Sequence, residues 1–283
     1  MAVLSAFTFN KMKQFYLLAI FFMLPFATQA QSEKYFQLAD SASYYIEKEQ
    51  WNRAEEKIIE ALRLEPANFN NSLLFSNLGI IRLQKAEYNK ALEAFNLGLS
   101  IAPSSTVLLN NRARTFLLLE NPDSALSDLD SSLRIDSLQE WPLQTKAFLL
   151  LQKGDLKQAQ EIFNSISTLF PDNSLAYAGL AEIAQIEGNT DTAETFFKKS
   201  IELNPDDEDT LAAYILLLVE MSKFTEARQT VRKAIEKNPN NGMFYLLRGF
   251  ISRLNYQTDE ALADKKIAIS KGIVPSYASR FIP

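Results

Sequence analysis

The 283-residue chain contains no histidine and no cysteine, and its 34 acidic residues outnumber its 29 basic ones. It therefore lacks the usual general base, the strongest common nucleophile and any means of forming a disulfide. With no phosphate-cradling glycine loop, metal-ligand spacing or redox motif, it offers no candidate catalytic, cofactor or metal residue, and an acidic chain without a basic stripe is a poor match for nucleic acid.

Met1 to Ala30 holds no acid, carries Lys11 and Lys13, and then runs apolar from Phe15 to Phe26. The run is short for a bilayer span, Pro25 breaks it, and Thr28 and Ala30 place small residues where a signal peptidase reads. Cleavage after Ala30 is expected. The mature chain would begin at Gln31 and be exported to the periplasm or beyond the cell, with no stable membrane insertion once the leader is gone. Met12 is an alternative start for the same peptide. The absence of cysteine excludes a lipoprotein anchor.

From Tyr35 onward one pattern of large, small and breaker residues returns, in copies at 35–68, 72–105, 106–139, 140–173, 174–207, 208–241 and 242–275. Each copy predicts two helices. The second opens on an alanine that recurs as Ala91, Ala125, Ala159, Ala193, Ala227 and Ala261, thirty-four residues apart, with Ala54 three residues further back than the period requires. The first carries a small residue, namely Ala42, Gly79, Ala113, Ala147, Ala181 and Gly249, with Ile215 the exception. Small residues at these two places let paired helices approach, and an aromatic such as Phe95, four residues past the alanine, fills the space beside them. Pro66, Pro103, Pro171, Pro205 and Pro239 close their copies, whereas Ser137 and Ile273 replace the proline in the third and seventh.

This spacing resembles the tetratricopeptide repeat family. The resemblance implies an all-α fold, a superhelical α-solenoid of about seven antiparallel helix pairs over residues 31–275, followed by a short tail at 276–283. Its departures are Ile215, the two missing prolines, and Lys265 at an aromatic or aliphatic position. No single pair buries its apolar face alone, so the stack is expected to form one domain.

Other features take their meaning from this frame. Trp51 is expected to pack at the turn of the first pair. The three extra residues near 66–72 predict a longer loop and a hinge, and Asn70, Asn71 and Ser72 also form a glycosylation-type triplet. Asn121 with Pro122, Gly154 with Asp155, and Gly188 with Asn189 mark turns, after which Asp123 and Asp191 are expected to cap helix starts. The run Asp206, Asp207, Glu208 and Asp209 opens a helix, where acids suit the dipole without a metal. Lys265 and Lys266 suit the water-facing side of a terminal copy.

The resemblance places the first helices along a concave groove that takes a protein or peptide. In the positions facing it, residues do not keep one chemical type: Ser43, Ile80, Arg114, Phe148, Glu182, Leu216 and Phe250 form one row. Ala39, Ser76, Asn110, Gln144, Ala178, Ala212 and Leu246 form a second, and Phe36, Leu73, Val107, Trp141, Leu175, Asp209 and Met243 a third. Asn110, Arg114, Trp141, Gln144 and Phe148 are predicted to make one partner-binding patch, continued by Glu182. The expected function is a non-catalytic interaction scaffold outside the cytoplasm. The alternative is a structural or assembly-factor subunit of an envelope or secretion complex, working through helix edges. The sequence leaves the oligomeric state open.

Overall fold

The structure, a computed structural model, describes residues 32–283, and the predicted leader lies outside them. Among the described residues are fifteen helices and no strand. α1 covers 32–47, followed by α2 (Trp51–Leu64), α3 (Asn71–Gln84), α4 (Tyr88–Ile101), α5 (Thr106–Leu118) and α6 (Pro122–Ile135). Then come α7 (Glu140–Gln152), α8 (Leu156–Leu169), α9 (Ser174–Ile186), α10 (Thr190–Leu203), α11 (Glu208–Glu220), α12 (Phe224–Lys237), α13 (Gly242–Leu254), α14 (Thr258–Ser270) and α15 (Pro275–Phe281). Successive helices pair as the repeat requires. The fold is an all-α solenoid of helix pairs.

The chain packs as two compact units rather than one undivided stack, one ending at Ser137 and the other beginning at Leu138. The boundary falls in the third copy, where serine replaces the closing proline. In the first unit one core gathers Tyr35, Ala42, Ala54, Ile58, Leu74, Leu78 and Ile81, and another Ala91, Phe95, Leu99, Leu108 and Leu109. Trp51 packs on the first of these, as expected. In the second unit, three cores run from Ala147 in α7 to Ile282 beyond α15.

The small-residue rule has a direct steric basis. A Cβ built on Gly79 would lie 2.3 Å from the Phe95 ring, so the ring occupies the place of a side chain. At Ile215 the rule is inverted rather than broken: Ile215 is fully buried, and Val231 stands where the pattern has Phe95. Volume has moved from one helix of the pair to the other, which keeps the core filled.

Every turn between paired helices uses one backbone device. Glu49, Ala86, Glu120, Gly154, Gly188, Ser222 and Tyr256 all have left-handed φ, between 55° and 80°. In each case the next residue's N–H donates to the carbonyl five places back, as in Glu87 to Arg82 at 2.8 Å and Gln257 to Ser252 at 2.9 Å. The cap assignments shift accordingly. Asn121, not Asp123, caps α6 by accepting from the Ser124 N–H at 3.1 Å. Asp123 and Asp191 lie inside first turns, where they favour the dipole.

The loop expected to hinge is cross-tied. Asn71 Nδ2 donates to the Glu65 and Pro66 carbonyls at 2.8 and 3.2 Å, and its Oδ1 accepts from the buried Tyr35 hydroxyl at 3.0 Å. The acidic run is likewise absorbed into a junction between copies. Asp207 caps α11 through the Thr210 N–H and hydroxyl, Asp206 pairs with Lys237, and Glu208 accepts from Asn238 and Asn241. Glu140, two copies earlier, makes the matching contact with Asn173 at 2.7 Å. The tail forms α15, which packs on α13 and α14 and brings Ile282 against Gly249. No helix among the described residues is long and apolar enough to cross a membrane.

Candidate partner-binding surface

First helices also meet one another inside each unit, α3 with α5, α7 with α9 and α11 with α13. This contact buries part of what the sequence assigned to the groove. Ser76, Ala178 and Leu246 are buried, so the second row is in large part a packing row. Its variable chemistry reflects local fit between neighbouring first helices.

Of the six predicted groove residues, Asn110 and Arg114 stand on α5 in the first unit, one turn apart, with Arg114 exposed and Asn110 half-buried. Trp141, Gln144 and Phe148 stand on α7 and Glu182 on α9, all in the second unit and all half-buried. Phe148 departs from the free groove residue expected. Its ring meets Phe163 edge-on at 4.9 Å and joins the core of α7 to α9.

The third row gives the clearest surface. Phe36, Leu73 and Val107 lie on α1, α3 and α5 of the first unit and are 50%, 67% and 57% exposed. Of this row, the predicted patch took only Trp141. Within the first unit the row is uniformly apolar.

Glu182 is the notable charge of the surface. Burial holds its carboxyl above the ordinary carboxylate range, and no described residue supplies a hydrogen bond or ion pair to it. Other carboxylates between copies are neutralised. Burial works against ionisation of Glu55, but hydrogen bonds from Lys85 at 2.8 Å and Arg82 at 3.2 Å hold its carboxyl below the usual range. Glu194 accepts from Lys198 at 2.8 Å and Lys223 at 2.5 Å and is also held low. Nearby, burial and a hydrogen bond to Glu226 push the Tyr214 hydroxyl up to about 12.

Helix pairs closed by one turn geometry at a regular period define a helical repeat protein. Models described as tetratricopeptide repeats match residues 145–208 and 184–249, and the helix pairs of the fold are of that repeat type. A tetratricopeptide repeat protein from Parabacteroides merdae has a similar structure, with a TM-score of 0.73 and 26% identity over 88% of this chain and 98% of that one. YrrB, described as a tetratricopeptide repeat protein with an unusual peptide-binding site, matches with a TM-score of 0.55 and 19% identity over 62% of this chain and 89% of that one. The human mitochondrial import receptor subunit TOM70 is 22% identical over 243 residues, 81% of this chain. The chain spans about 40% of the length of that relative.

Proposed function

We propose that the protein is a non-catalytic scaffold that holds a protein or peptide against its first-helix face, outside the cytoplasm. The observation that carries this reading is the exposed apolar row Phe36, Leu73 and Val107, repeated on consecutive first helices. Three large side chains in one register form a strip of the sort that a partner covers. Arg114 adds a cationic edge on α5, and in the second unit Glu182 offers a carboxylate to a donor on the partner. A relative titled for its peptide-binding site and another titled an import receptor subunit agree with this reading.

Affinity capture of the tagged full chain from its native host, with mass spectrometry of bound proteins, tests the proposal. Leu73→Asp and Val107→Asp are expected to lose the partner with an unchanged unfolding midpoint, because both side chains already face water. Undiminished capture by both variants would overturn it, while a fixed set of complex subunits among the captured proteins would favour the assembly-factor role. The location rests on the leader. Intact mass of the native protein should begin at Gln31, and retention of the preceding residues would remove that support.

A further inference from the structure

Two arginines four repeats apart are set in the same frame and finished differently. In the first unit Arg112 of α5 uses its whole donor fork: Nε and Nη2 donate to Asp128 at 2.7 and 2.6 Å, and Nη1 donates to Asn96 Oδ1 of α4 at 2.7 Å. The Phe116 ring lies beside the guanidinium, 6.0 Å from centroid to Cζ. In the second unit Arg248 of α13 makes the same fork with Asp264, at 2.9 and 2.6 Å. Its surroundings have changed. Arg232 stands at the position of Asn96, Ser252 at that of Phe116, and Arg228 at that of Leu92.

Each change has a physical effect. Arginine for asparagine puts a cationic donor where an acceptor met Nη1, so that atom of Arg248 has no acceptor among the described residues. Serine for phenylalanine removes a ring, and a cleft of about 460 Å³ opens between α12, α13 and α14. Arg228, Arg232 and Arg248 line it, with Ala263 and Ile267 as an apolar wall. The carboxylates in the cleft are already engaged: Asp264 by Arg248, and Glu260 by Ser252 Oγ and Gln257 Nε2, both at 3.3 Å. Arg228 gives one arm to Gln257, whereas Arg232 has no hydrogen-bond or ion-pair partner among the described residues. With the Arg248–Asp264 pair neutral, Arg228 and Arg232 outweigh Glu260, in a chain whose net charge is −5.

We propose that this cleft binds an oxyanion, the phosphate or carboxylate group of a ligand whose apolar part lies on Ala263 and Ile267. Arg232 and the outward N–H of Arg248 would hold the anion, since planar guanidinium forks match such oxygens in geometry as well as charge. The proposal does not depend on the first-helix row Phe36, Leu73 and Val107.

The test uses the full chain and three probes at matched ionic strength: sodium phosphate, sodium acetate and sodium chloride. Calorimetric titration and the unfolding midpoint should show saturable binding of phosphate or acetate above the chloride background, and the responding anion identifies the ligand class. Arg232→Asn rebuilds the arrangement around Arg112, so it should fold normally and weaken binding by about tenfold or more. Ser252→Phe should also close the cleft to the anion, and Arg63→Asn, an exposed position that does not line the cleft, should bind like the parent. The proposal is overturned if neither anion binds, or if Arg232→Asn and Ser252→Phe both bind as tightly as the parent. An equal loss in Arg63→Asn would overturn it as well, by showing general charge attraction.

Discussion

Phe95 in the first unit and Phe163 in the second hold the same place in the repeat, yet each ring takes its space from a different neighbour. Phe95 presses on Gly79, in the first helix of its own copy, while Phe163 presses on Gly179, in the first helix of the following copy. In both cases a Cβ on the glycine would sit 2.3 Å from a ring atom. The comparison shows that the repeat fixes the ring and leaves open which adjoining helix gives way. Packing between copies is therefore as specific as packing within them, which is what couples a one-dimensional array.

Removing the rings should give the largest effects. Phe95→Ala and Phe163→Ala are each expected to destabilise their unit by about 3–5 kcal/mol in chemical denaturation. Glycine substitutions probe direction at smaller cost. Gly79→Ala and Gly179→Ala should each lose about 1–3 kcal/mol, and Phe163→Leu should recover part of the loss for Gly179→Ala but none for Gly79→Ala. Recovery of both, or of neither, would break the distinction.

The turns differ between units in a way that sets a smaller effect. In the first unit the left-handed position holds Glu49, Ala86 and Glu120, whereas in the second Gly154 and Gly188 occupy it in two of the four turns and Ser222 and Tyr256 in the others. No heavy atom lies within 4 Å of a Cβ built on either glycine, so only backbone strain distinguishes the residues. Gly154→Ala should cost about 1 kcal/mol, and Ala86→Gly should gain up to about 1 kcal/mol, measured by unfolding midpoints. Equal and negligible shifts would show that the turn tolerates either residue.

The subtlest contrast is between two carboxylates whose titrations run in opposite senses. Glu55 in the first unit is held below the usual range by Lys85 and Arg82, so its stabilisation is present above the ordinary carboxylate range and is lost as pH falls through the folded value. Glu182 in the second is held high by burial, so its charge weakens the fold at neutral pH, and protonation relieves that cost as pH falls through the raised value. Glu55→Gln should therefore lower the midpoint at neutral pH and Glu182→Gln should raise it. Both differences should shrink in acid.

The helix pairs were legible because a close helix contact admits few residue types: Ala91, Ala125, Ala159, Ala193, Ala227 and Ala261 mark it by their size alone. The turns were only partly legible, since a left-handed Glu120 or Tyr256 carries no glycine to announce it. Asn71 was noticed only as part of a surface triplet, although its side chain is buried and satisfied across two copies. At the candidate surface, the period located first-helix positions but could not say which of them neighbouring helices would cover, as Phe148 and Leu246 illustrate. The arginine cleft required comparing unlike residues at equivalent positions, Asn96 with Arg232 and Phe116 with Ser252. A search for what repeats passes over such differences.

The bond between Tyr35 and Asn71 bears on how this protein comes apart. End copies of a linear array have a neighbour on one side only, and they ordinarily fray helix by helix. Here the hydroxyl in α1 reaches the amide that also holds the 65–71 loop, so detaching α1 leaves Asn71 Oδ1 without its buried donor and loosens the start of α3. Opening at this end is thereby quantised in steps larger than a helix. Protease accessibility and slow amide exchange in α1, α2 and the loop should rise and fall together, as properties of a single cooperative block.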